Sequence, residues 1–390
     1  MSELARRPPP PFPLTVITGF LGAGKTTLLN RLLKDPVLAD TLVIINEFGE
    51  IGLDHLLIEK IDSDMILLSS GCLCCTIRGD LIETLEDLLR RRDNDRIAPF
   101  KRVIIETTGL ADPAPILQTI MFHPYLMLRF RLEGVITLID AVNGAATLDA
   151  HEEAVKQAAV ADRLVLAKSD LVSGADRPRL DALQARLAEL NPGALLLDAA
   201  SGQATASRLL DAGLYDIDGK IPNVRHWLNA EAFEDGHDHH GHDHQGREHG
   251  HHDHAHAHQD VNRHDARIAA FCLRFAPLVE PAGLDLFLEL MRNAYGANLL
   301  RVKGIVALAD DPARPLIVHG VQHVFHAPQR LDAWPDDDHA TRMVFILKDI
   351  QPGFVEGLWN AAMGIPAPDR ADRQALTENP LAAKQGGLLS

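Results

Sequence analysis

The chain has 390 residues, 46% of them hydrophobic and 24% charged, which is typical of a soluble globular protein with two or three domains. Acidic residues outnumber basic ones 54 to 38, and the net charge of −16 argues against non-specific binding to nucleic acid or to a membrane. No apolar run is long enough to span a bilayer, no early segment resembles a signal peptide, and four cysteines exclude a disulfide scaffold. The cytoplasm is therefore the expected location.

Short apolar runs alternate with helical patterns in the first 225 residues. The runs are rich in Val, Ile and Leu, as expected for strands that are covered on both faces. This alternation predicts an α/β fold with a parallel sheet and helices on both faces. The predicted strands are residues 14–18, 42–46, 65–68, 103–106, 135–140, 164–168 and 194–197, and two of the predicted helices are residues 26–33 and 80–91.

A glycine-rich loop follows the first predicted strand. Residues 19–26, GFLGAGKT, fit the phosphate-binding pattern G-x-x-x-x-G-K-[ST], with a strand before and a helix after them. Lys25 would contact the β- and γ-phosphates, and the Thr26 hydroxyl would bind Mg²⁺. The alternative is a glycine-rich turn that binds nothing. The pattern predicts these nucleotide-binding residues: Gly19, Gly22, Ala23, Gly24, Lys25, Thr26 and Thr27.

The sixth predicted strand ends at a second candidate nucleotide contact. The segment 167–170 reads AKSD, and the carboxylate of Asp170 can accept both N–H groups of a guanine edge, which adenine lacks. Lys168 and Asp170 are therefore predicted to bind the nucleotide, with GTP preferred over ATP. The usual guanine motif has Asn or Thr where this chain has Ala167, so one contact is lost. The alternative is an ordinary charged loop.

The fourth predicted strand ends at an acidic residue. Glu106 would hold Mg²⁺ together with Thr26, and the backbone N–H of Gly109 would sense the γ-phosphate. Lys25, Thr26, Glu106 and Gly109 are the predicted catalytic residues. No glutamine is in an evident position to orient the attacking water, so slow hydrolysis is expected for the isolated chain.

Three cysteines lie within four positions, in the sequence GCLCC at residues 71–75. Thiolates so close together favour a soft metal ion such as Zn²⁺, and the pattern differs from the C-x-x-C spacing of redox pairs. Cys72, Cys74 and Cys75 are the predicted ligands, with redox chemistry and inert burial as alternatives. Because Zn²⁺ takes four ligands, a closed site needs a fourth protein ligand, whereas an open site would have water or a mobile residue in that place. The candidates are Glu47, Glu50, His55 and His123, of which Glu50 and His123 are retained as tentative ligands.

Twelve of the 20 histidines lie at residues 237–264, in a low-complexity stretch. Such a stretch cannot bury enough apolar surface to fold, and its imidazoles could bind Zn²⁺, Co²⁺ or Ni²⁺ weakly. The alternative is a plain tether. The residues after it predict a small α+β domain with one helix-covered sheet. The predicted organisation is a P-loop domain at 1–228, a His-rich disordered linker at 229–265, the α+β domain at 266–365 and a flexible tail at 366–390.

Four motifs together resemble the CobW-type family of P-loop GTPases. They are GFLGAGKTTLLN at 19–30, NEFGEIGLDH at 46–55, GCLCCTIRGDL at 71–81 and ETTGLADPAPI at 106–116. The resemblance covers the whole architecture, because LLRVKGIVAL at 299–308 resembles the family's C-terminal domain. It implies a GTP-regulated metallochaperone, most often linked to Zn²⁺, which loads a client metalloprotein. Other members are linked to cobalt in cobalamin synthesis or to nitrile hydratase.

The resemblance allows more than one metal and more than one class of function. The metal could be Zn²⁺ or Co²⁺, the client is not identified, and GTPases of this kind often form homodimers when they bind nucleotide. Two other classes of function compete: a metal-storage protein with residual NTPase activity, and a small-molecule kinase. The kinase would leave the cysteines and histidines unexplained. Neither a nucleic-acid partner nor a membrane is expected.

Overall fold

The computed structural model describes residues 10–47, 65–69, 76–210, 267–325 and 328–365. Its first part is a parallel sheet of seven strands. They are β1 (Phe12–Gly19), β2 (Thr41–Glu47), β3 (Met65–Ser69), β4 (Arg102–Glu106), β5 (Phe130–Asp140), β6 (Arg163–Ala167) and β7 (Leu195–Asp198). Their order across the sheet is β3-β2-β4-β1-β5-β6-β7. All seven predicted strands are confirmed.

Most strand ends lie one or two residues from the predicted positions, and two of the differences have a clear physical reason. Strand β5 begins at Phe130 rather than at Val135, because Phe130 and Leu132 are buried and continue the pairing with β1. Strand β6 ends at Ala167 rather than at Lys168, because Lys168 has a φ of +61° and turns the chain out of the sheet.

Helices cover both faces of this sheet, as predicted. They are α1 (Lys25–Leu32), α2 (Thr76–Asp93), α3 (Ala114–Phe122), α4 (Leu126–Arg129), α5 (Gly144–Ala150), α6 (Glu152–Ala159), α7 (Arg177–Leu190) and α8 (Ala206–Leu209). Neighbouring residues of β1 point to opposite faces of the sheet, and each face has its own hydrophobic core. Val16 packs in the cluster of α2 and α3, which includes Leu85 and Leu117, and Ile17 packs in the cluster of α1, which includes Leu29.

The second part is an antiparallel sheet with both of its described helices on one face. Its elements are β8 (Ile268–Phe275), α9 (Pro281–Tyr295), β9 (Leu299–Val306), β10 (Leu316–Val321), β11 (Val324–Phe325), β12 (Gln329–Arg330), β13 (Thr341–Lys348) and α10 (Pro352–Ala362). The strand order is β11-β10-β9-β13-β8, with β12 paired to β10. Phe287 of α9 and Trp359 of α10 meet over Phe345 of β13. The fold class is thus confirmed.

One predicted strand of this second domain is wrong. The continuous apolar pattern at residues 316–325 predicts a single strand, but the structure forms a hairpin there. Gln322 has a φ of +55°, which reverses the chain so that Val321 of β10 pairs with Val324 of β11. Val321 is buried in the first domain's core, so the hairpin packs against that domain.

The opposite face of the second sheet packs on the first domain through buried charges. Arg301 and Lys303 of β9 are each 3% exposed, and both reach Asp162, which directly precedes β6. Lys303 Nζ lies 3.1 Å from Asp162 Oδ1, and Arg301 donates to the same oxygen and to the carbonyl oxygen of Val160. The other Asp162 oxygen accepts the backbone N–H of Val135 at 2.9 Å. The two domains are therefore joined by an ion cluster as well as by apolar packing.

Within the ranges described above, no helix is both long and apolar enough to cross a membrane.

Candidate functional site

Glycines shape the loop between β1 and α1. Gly19 has a φ of +137°, and a Cβ atom there would lie 2.5 Å from the carbonyl oxygen of Leu138, so no side chain fits. Gly22 and Gly24 also have positive φ values, of +71° and +96°. The chain then enters α1 at Lys25, which leaves the first N–H groups of that helix facing the loop.

The side chain of Lys25 folds back over this loop. Its ammonium group donates to the carbonyl oxygens of Gly19, at 2.9 Å, and Phe20, at 3.2 Å. Phe20 in turn stacks on the ring of His151, with 4.4 Å between the ring centroids. The loop that fits the phosphate-binding pattern is therefore tied down by its own lysine and by the residue that precedes α6.

The two predicted Mg²⁺ ligands lie side by side. Thr26 Oγ1 donates a hydrogen bond to Glu106 Oε1 at 3.0 Å, and Glu106 is buried at the end of β4. The parallel pairing of β4 with β1 sets Glu106 opposite Ile17, two residues before the loop begins. A hydroxyl and a carboxylate are hard oxygen donors, so this pair fits Mg²⁺.

The segment after β4 touches the glycine-rich loop. A Cβ atom on Gly109 would lie 2.5 Å from the backbone nitrogen of Leu21, so only glycine allows this approach. Gln157 of α6 is 1% exposed, and its Nε2 donates to the carbonyl oxygens of Gly109, at 3.2 Å, and Ala111, at 2.9 Å. Gln157 could not be predicted from the sequence, because no motif marks a residue in the middle of an amphipathic helix.

A cavity of about 320 Å³ lies on the α1 side of the loop. Arg31 of α1 supports one wall by donating to the carbonyl oxygens of Ala199, at 2.8 Å, and Ala204, at 3.1 Å. Ser169 Oγ donates to Asp198 Oδ1 at 2.6 Å and joins the loops after β6 and β7. The residues that line the cavity include Gly24, Thr27, Leu28, Arg31, Ala167, Lys168, Asp170, Ala199 and Ala200. The predicted guanine-binding residues and the phosphate-binding loop therefore share one cavity.

Asp140 at the end of β5 is a site residue that the sequence analysis missed. Its Oδ2 lies 2.7 Å from Lys168 Nζ, and its Oδ1 accepts the N–H groups of Val142 and Asn143. Burial would raise the pKa of Asp140, but the hydrogen bonds from Lys168, Asn143 and Val142 outweigh it and hold the pKa below its usual range. Its place at the end of a predicted strand was a signal that could have found it.

Most of the predicted metal ligands lie outside the described residues. These are Cys72, Cys74, Cys75, Glu50 and His55. Glu47 is the last residue of β2. The described part of the chain holds no group of three or more His, Cys, Asp or Glu side chains arranged for a metal ion.

His123 is the tentative ligand whose side chain the structure describes. Its Nε2 lies 3.8 Å from Glu86 Oε1 of α2, and its buried Nδ1 has no hydrogen-bond partner within the described ranges. Glu86 is ten residues beyond Thr76, which corresponds to about 15 Å along α2. The described residues therefore do not bring His123 to the start of α2, where the cysteine segment ends.

Comparisons with known protein families match both domains. Residues 13–198 match the model described as CobW/HypB/UreG, nucleotide-binding domain, and residues 268–363 match the cobalamin synthesis protein cobW C-terminal domain.

Named relatives and a solved structure agree with these matches. The chain is 30% identical to the zinc chaperone YjiA of Escherichia coli, over 86% of this chain and 94% of that protein. It is 31% identical to the zinc chaperone CobW of Pseudomonas aeruginosa, over 90% of this chain and 91% of that protein. The crystal structure of Zn(II)-bound YjiA GTPase from E. coli superposes with a TM-score of 0.62 and 26% identity, covering 90% of this chain and 99% of that one.

Proposed function

The chain belongs to the CobW family of P-loop GTPases, and on that premise we propose that it is a metallochaperone which binds Zn²⁺ through Cys72, Cys74 and Cys75. It delivers the metal to a client metalloprotein, and the bound nucleotide controls this transfer. Zn²⁺ is the cargo of the cycle, and Mg²⁺ is the cofactor of GTP hydrolysis. Two relatives named as zinc chaperones and a Zn(II)-bound solved structure support Zn²⁺ over Co²⁺.

The observation that carries this proposal is the closeness of two strand ends. All seven strands of the first sheet are parallel, so their carboxyl ends lie along one edge, where ligands of such sheets bind. Ser69 ends β3 three residues before Cys72, and Glu106 ends β4. Since β2 alone separates the two strands, these ends are about 10 Å apart at the usual strand spacing. A thiolate site and a nucleotide site would therefore be near neighbours.

The first domain's residues have distinct roles in GTP hydrolysis. Lys25 would exchange its contacts with Gly19 and Phe20 for the β- and γ-phosphate oxygens, and the loop N–H groups would bind the remaining oxygens. Thr26 and Glu106 would hold Mg²⁺, which neutralises charge on the phosphates when bound. The Gly109 N–H would contact the γ-phosphate and so report whether the nucleotide is GTP or GDP.

Base recognition is assigned to the cavity beside α1. Asp170 would accept the two N–H groups of guanine, Lys168 would form a wall beside the base, and Thr27 and Ala23 would lie along the phosphates. GTP·Mg²⁺ would order the segment 46–55, which follows β2 where a nucleotide-sensing loop belongs, and hydrolysis would release it. By thermodynamic linkage, Zn²⁺ must then change the affinity for GTP by the same factor as GTP changes the affinity for Zn²⁺.

The test is turnover of GTP and ATP by metal-stripped protein, with and without one equivalent of Zn²⁺. A variant with Cys72, Cys74 and Cys75 replaced by Ser is measured beside it, and Cys272→Ser, in β8 of the second domain, is the matched control. We expect GTP-selective turnover that responds to Zn²⁺ in the wild type and the control, but not in the triple variant. The response is measured again with Co²⁺.

Three results would contradict the proposal. A Zn²⁺ response that persists without the three thiols would remove the cysteine site. Turnover and GTP affinity indifferent to Zn²⁺ and Co²⁺ would remove the coupling and favour metal storage. Transfer of the γ-phosphate to a metabolite rather than to water would favour a kinase.

A further inference from the structure

Position 167 lacks the polar side chain that usually holds a guanine-binding loop in place. Ala167 is buried against the phosphate-binding loop, with its Cβ 3.8 Å from the place that a Cβ on Gly24 would take. A methyl group can pack there but cannot form a hydrogen bond. Another group must therefore hold the loop that carries Asp170 in a fixed relation to the phosphates.

The loop needs such support because its backbone is in a sparsely populated conformation. Lys168 has a φ of +61°, in the left-handed region, and the short 3-10 turn Ser169–Leu171 follows it. A non-glycine residue stays in this region only when its surroundings hold it there. Asp170, at the middle of the turn, is exposed.

Asp140 is the group placed to give this support. It lies on β5 opposite Ala167 of β6, so the sheet itself fixes its distance from the loop. Its carboxylate receives the N–H groups of Val142, at 2.8 Å, and Asn143, at 3.0 Å, which fix its orientation. The same carboxylate contacts Lys168 Nζ at 2.7 Å, a charge-assisted bond in a partly buried setting.

Lys168 lines two cavities. It lines the base cavity of about 320 Å³ and also a smaller cavity of about 140 Å³, which Asp140 lines as well. Its ammonium group is thus drawn toward Asp140, while its aliphatic stem remains a wall of the base cavity. Without the carboxylate the stem would lose its fixed position, and the turn that carries Asp170 would loosen with it.

We propose that Asp140 is a positioning residue for guanine recognition, which holds Lys168 and thereby Asp170 in the place that a polar residue at 167 would otherwise secure. This inference rests on the proposed role of Asp170 in binding guanine. A hydrogen bond from Ser169 to Asp198 also holds this turn, but on its other side. It therefore cannot replace a contact to Lys168.

The first test is Asp140→Asn, which keeps an oxygen for the N–H groups of Val142 and Asn143 but removes the charge that faces Lys168. KM and kcat are measured for GTP, for ATP and for inosine triphosphate, which lacks the exocyclic amino group of guanine. We expect KM for GTP to rise about tenfold, kcat to change less than about twofold, and the preference for GTP over inosine triphosphate to shrink.

A second variant keeps the test informative if Asp140→Asn fails to fold. Lys168→Met retains the stem and loses the ammonium group, and we expect the same rise in KM for GTP. If Asp140 acts through Lys168, the double variant is no worse than the more affected single variant. The control is Asp181→Asn, which removes an exposed ion pair with Arg177 on α7 and should leave all constants unchanged.

Two outcomes would overturn the inference. One is an unchanged KM for GTP in folded Asp140→Asn or in Lys168→Met. The other is a loss confined to kcat, since a positioning residue for the base acts on binding.

A parallel variant separates this inference from the proposed function. In Asp170→Asn the amide offers one acceptor and one donor, which match the N1–H and the C2 carbonyl of xanthine, so xanthosine triphosphate should become the preferred substrate. If it does not, the assignment of Asp170 fails. If it does and Asp140→Asn is silent, the positioning role alone fails.

Discussion

Glu106 and Asp140 are buried acids at the carboxyl edge of the parallel sheet, whereas Asp162 is a buried acid between the two domains. The edge acids contact groups that a ligand could also use: a threonine hydroxyl for Glu106 and a partly exposed lysine for Asp140. Asp162 contacts Arg301 and Lys303, which are as buried as it is. A buried charge destabilises a protein unless it is paired, and the partners of the buried acids differ between the two regions.

The difference shows how to separate functional from structural buried charge in this molecule. Next to a cavity, the partners of a buried acid can be exchanged for phosphate, metal or base. Away from a cavity, the partners are permanent and hold two parts of the protein together. Changes at the edge should therefore affect GTP turnover more than stability, and changes between the domains should do the reverse.

Asp162→Asn should give the largest effect. It would leave Arg301 and Lys303 buried without a carboxylate, which costs about 3–5 kcal/mol of unfolding free energy. Urea unfolding of the full chain measures this cost, with the exposed Asp181→Asn as control at below about 0.5 kcal/mol. A loss below about 1 kcal/mol, or a large change in GTP turnover by the folded variant, would contradict the assignment of Asp162 to structure.

Lys25→Ala should do the opposite of Asp162→Asn, because it should lower GTP turnover strongly and change stability little. Removal of its ammonium group should lower kcat for GTP about 10²–10³-fold, because a pre-positioned charge on the phosphates is lost. The unfolding midpoint should hardly move, since Lys25 contacts loop carbonyls rather than the core. Lys34→Ala, at an exposed lysine just after α1, is the control for loss of a positive charge. Normal turnover in Lys25→Ala would overturn the phosphate-binding role of the loop.

Gln157→Leu should affect both stability and GTP turnover, because α6 lies between the carboxyl edge of the sheet and the domain interface. The carbonyl groups of Gly109 and Ala111 would lose their donor, at a cost of about 1–3 kcal/mol. GTP turnover should fall several-fold as the Gly109 segment loosens. Steady-state GTP turnover and thermal unfolding measure the two effects. Gln351→Leu, at an exposed glutamine just before α10, is the control. A change in stability without a change in turnover would contradict the link between α6 and the nucleotide site.

Lys303→Met should give the smallest effect near pH 7, and one that depends on pH. Burial, with the neighbouring charge of Arg301, lowers the pKa of Lys303 from 10.5 to about 7, against the opposing pull of Asp162. Between these pH values the unfolded chain holds a proton that the folded protein does not, so folding releases it and stability rises with pH, by at most about 1.4 kcal/mol per unit.

The check is the difference in unfolding free energy between wild type and Lys303→Met from pH 6 to pH 9. Because Met does not titrate, the wild type should gain stability relative to the variant as the pH rises above 7. His319 also faces the cluster and is present in both proteins, so its titration largely cancels in the difference. A difference that is flat over this range would show that Lys303 stays protonated.

Local patterns predicted the strands and the phosphate-binding loop, because each depends on residues close together in the chain. Asp140 and Gln157 were not predicted, because the contacts that reveal them join distant parts of the chain. Lys168 lies 28 residues from Asp140, and the carbonyl groups that Gln157 contacts lie 46 or more residues from it. The domain interface was not predicted for a related reason. Arg301 and Lys303 alternate with apolar residues, a pattern typical of a strand with one face in water, and only the fold shows that this face is covered.

The interface has a consequence for the predicted linker at residues 229–265, which connects the two domains along the chain. Since buried ions and apolar contacts hold the domains together, this connection is not what keeps them associated. A protease cut within residues 229–265 would leave two fragments that still migrate as one particle. Separating them would require disrupting the contact between Asp162 and β9. The histidine-rich segment is thus free to differ in length and composition without changing how the domains sit on each other.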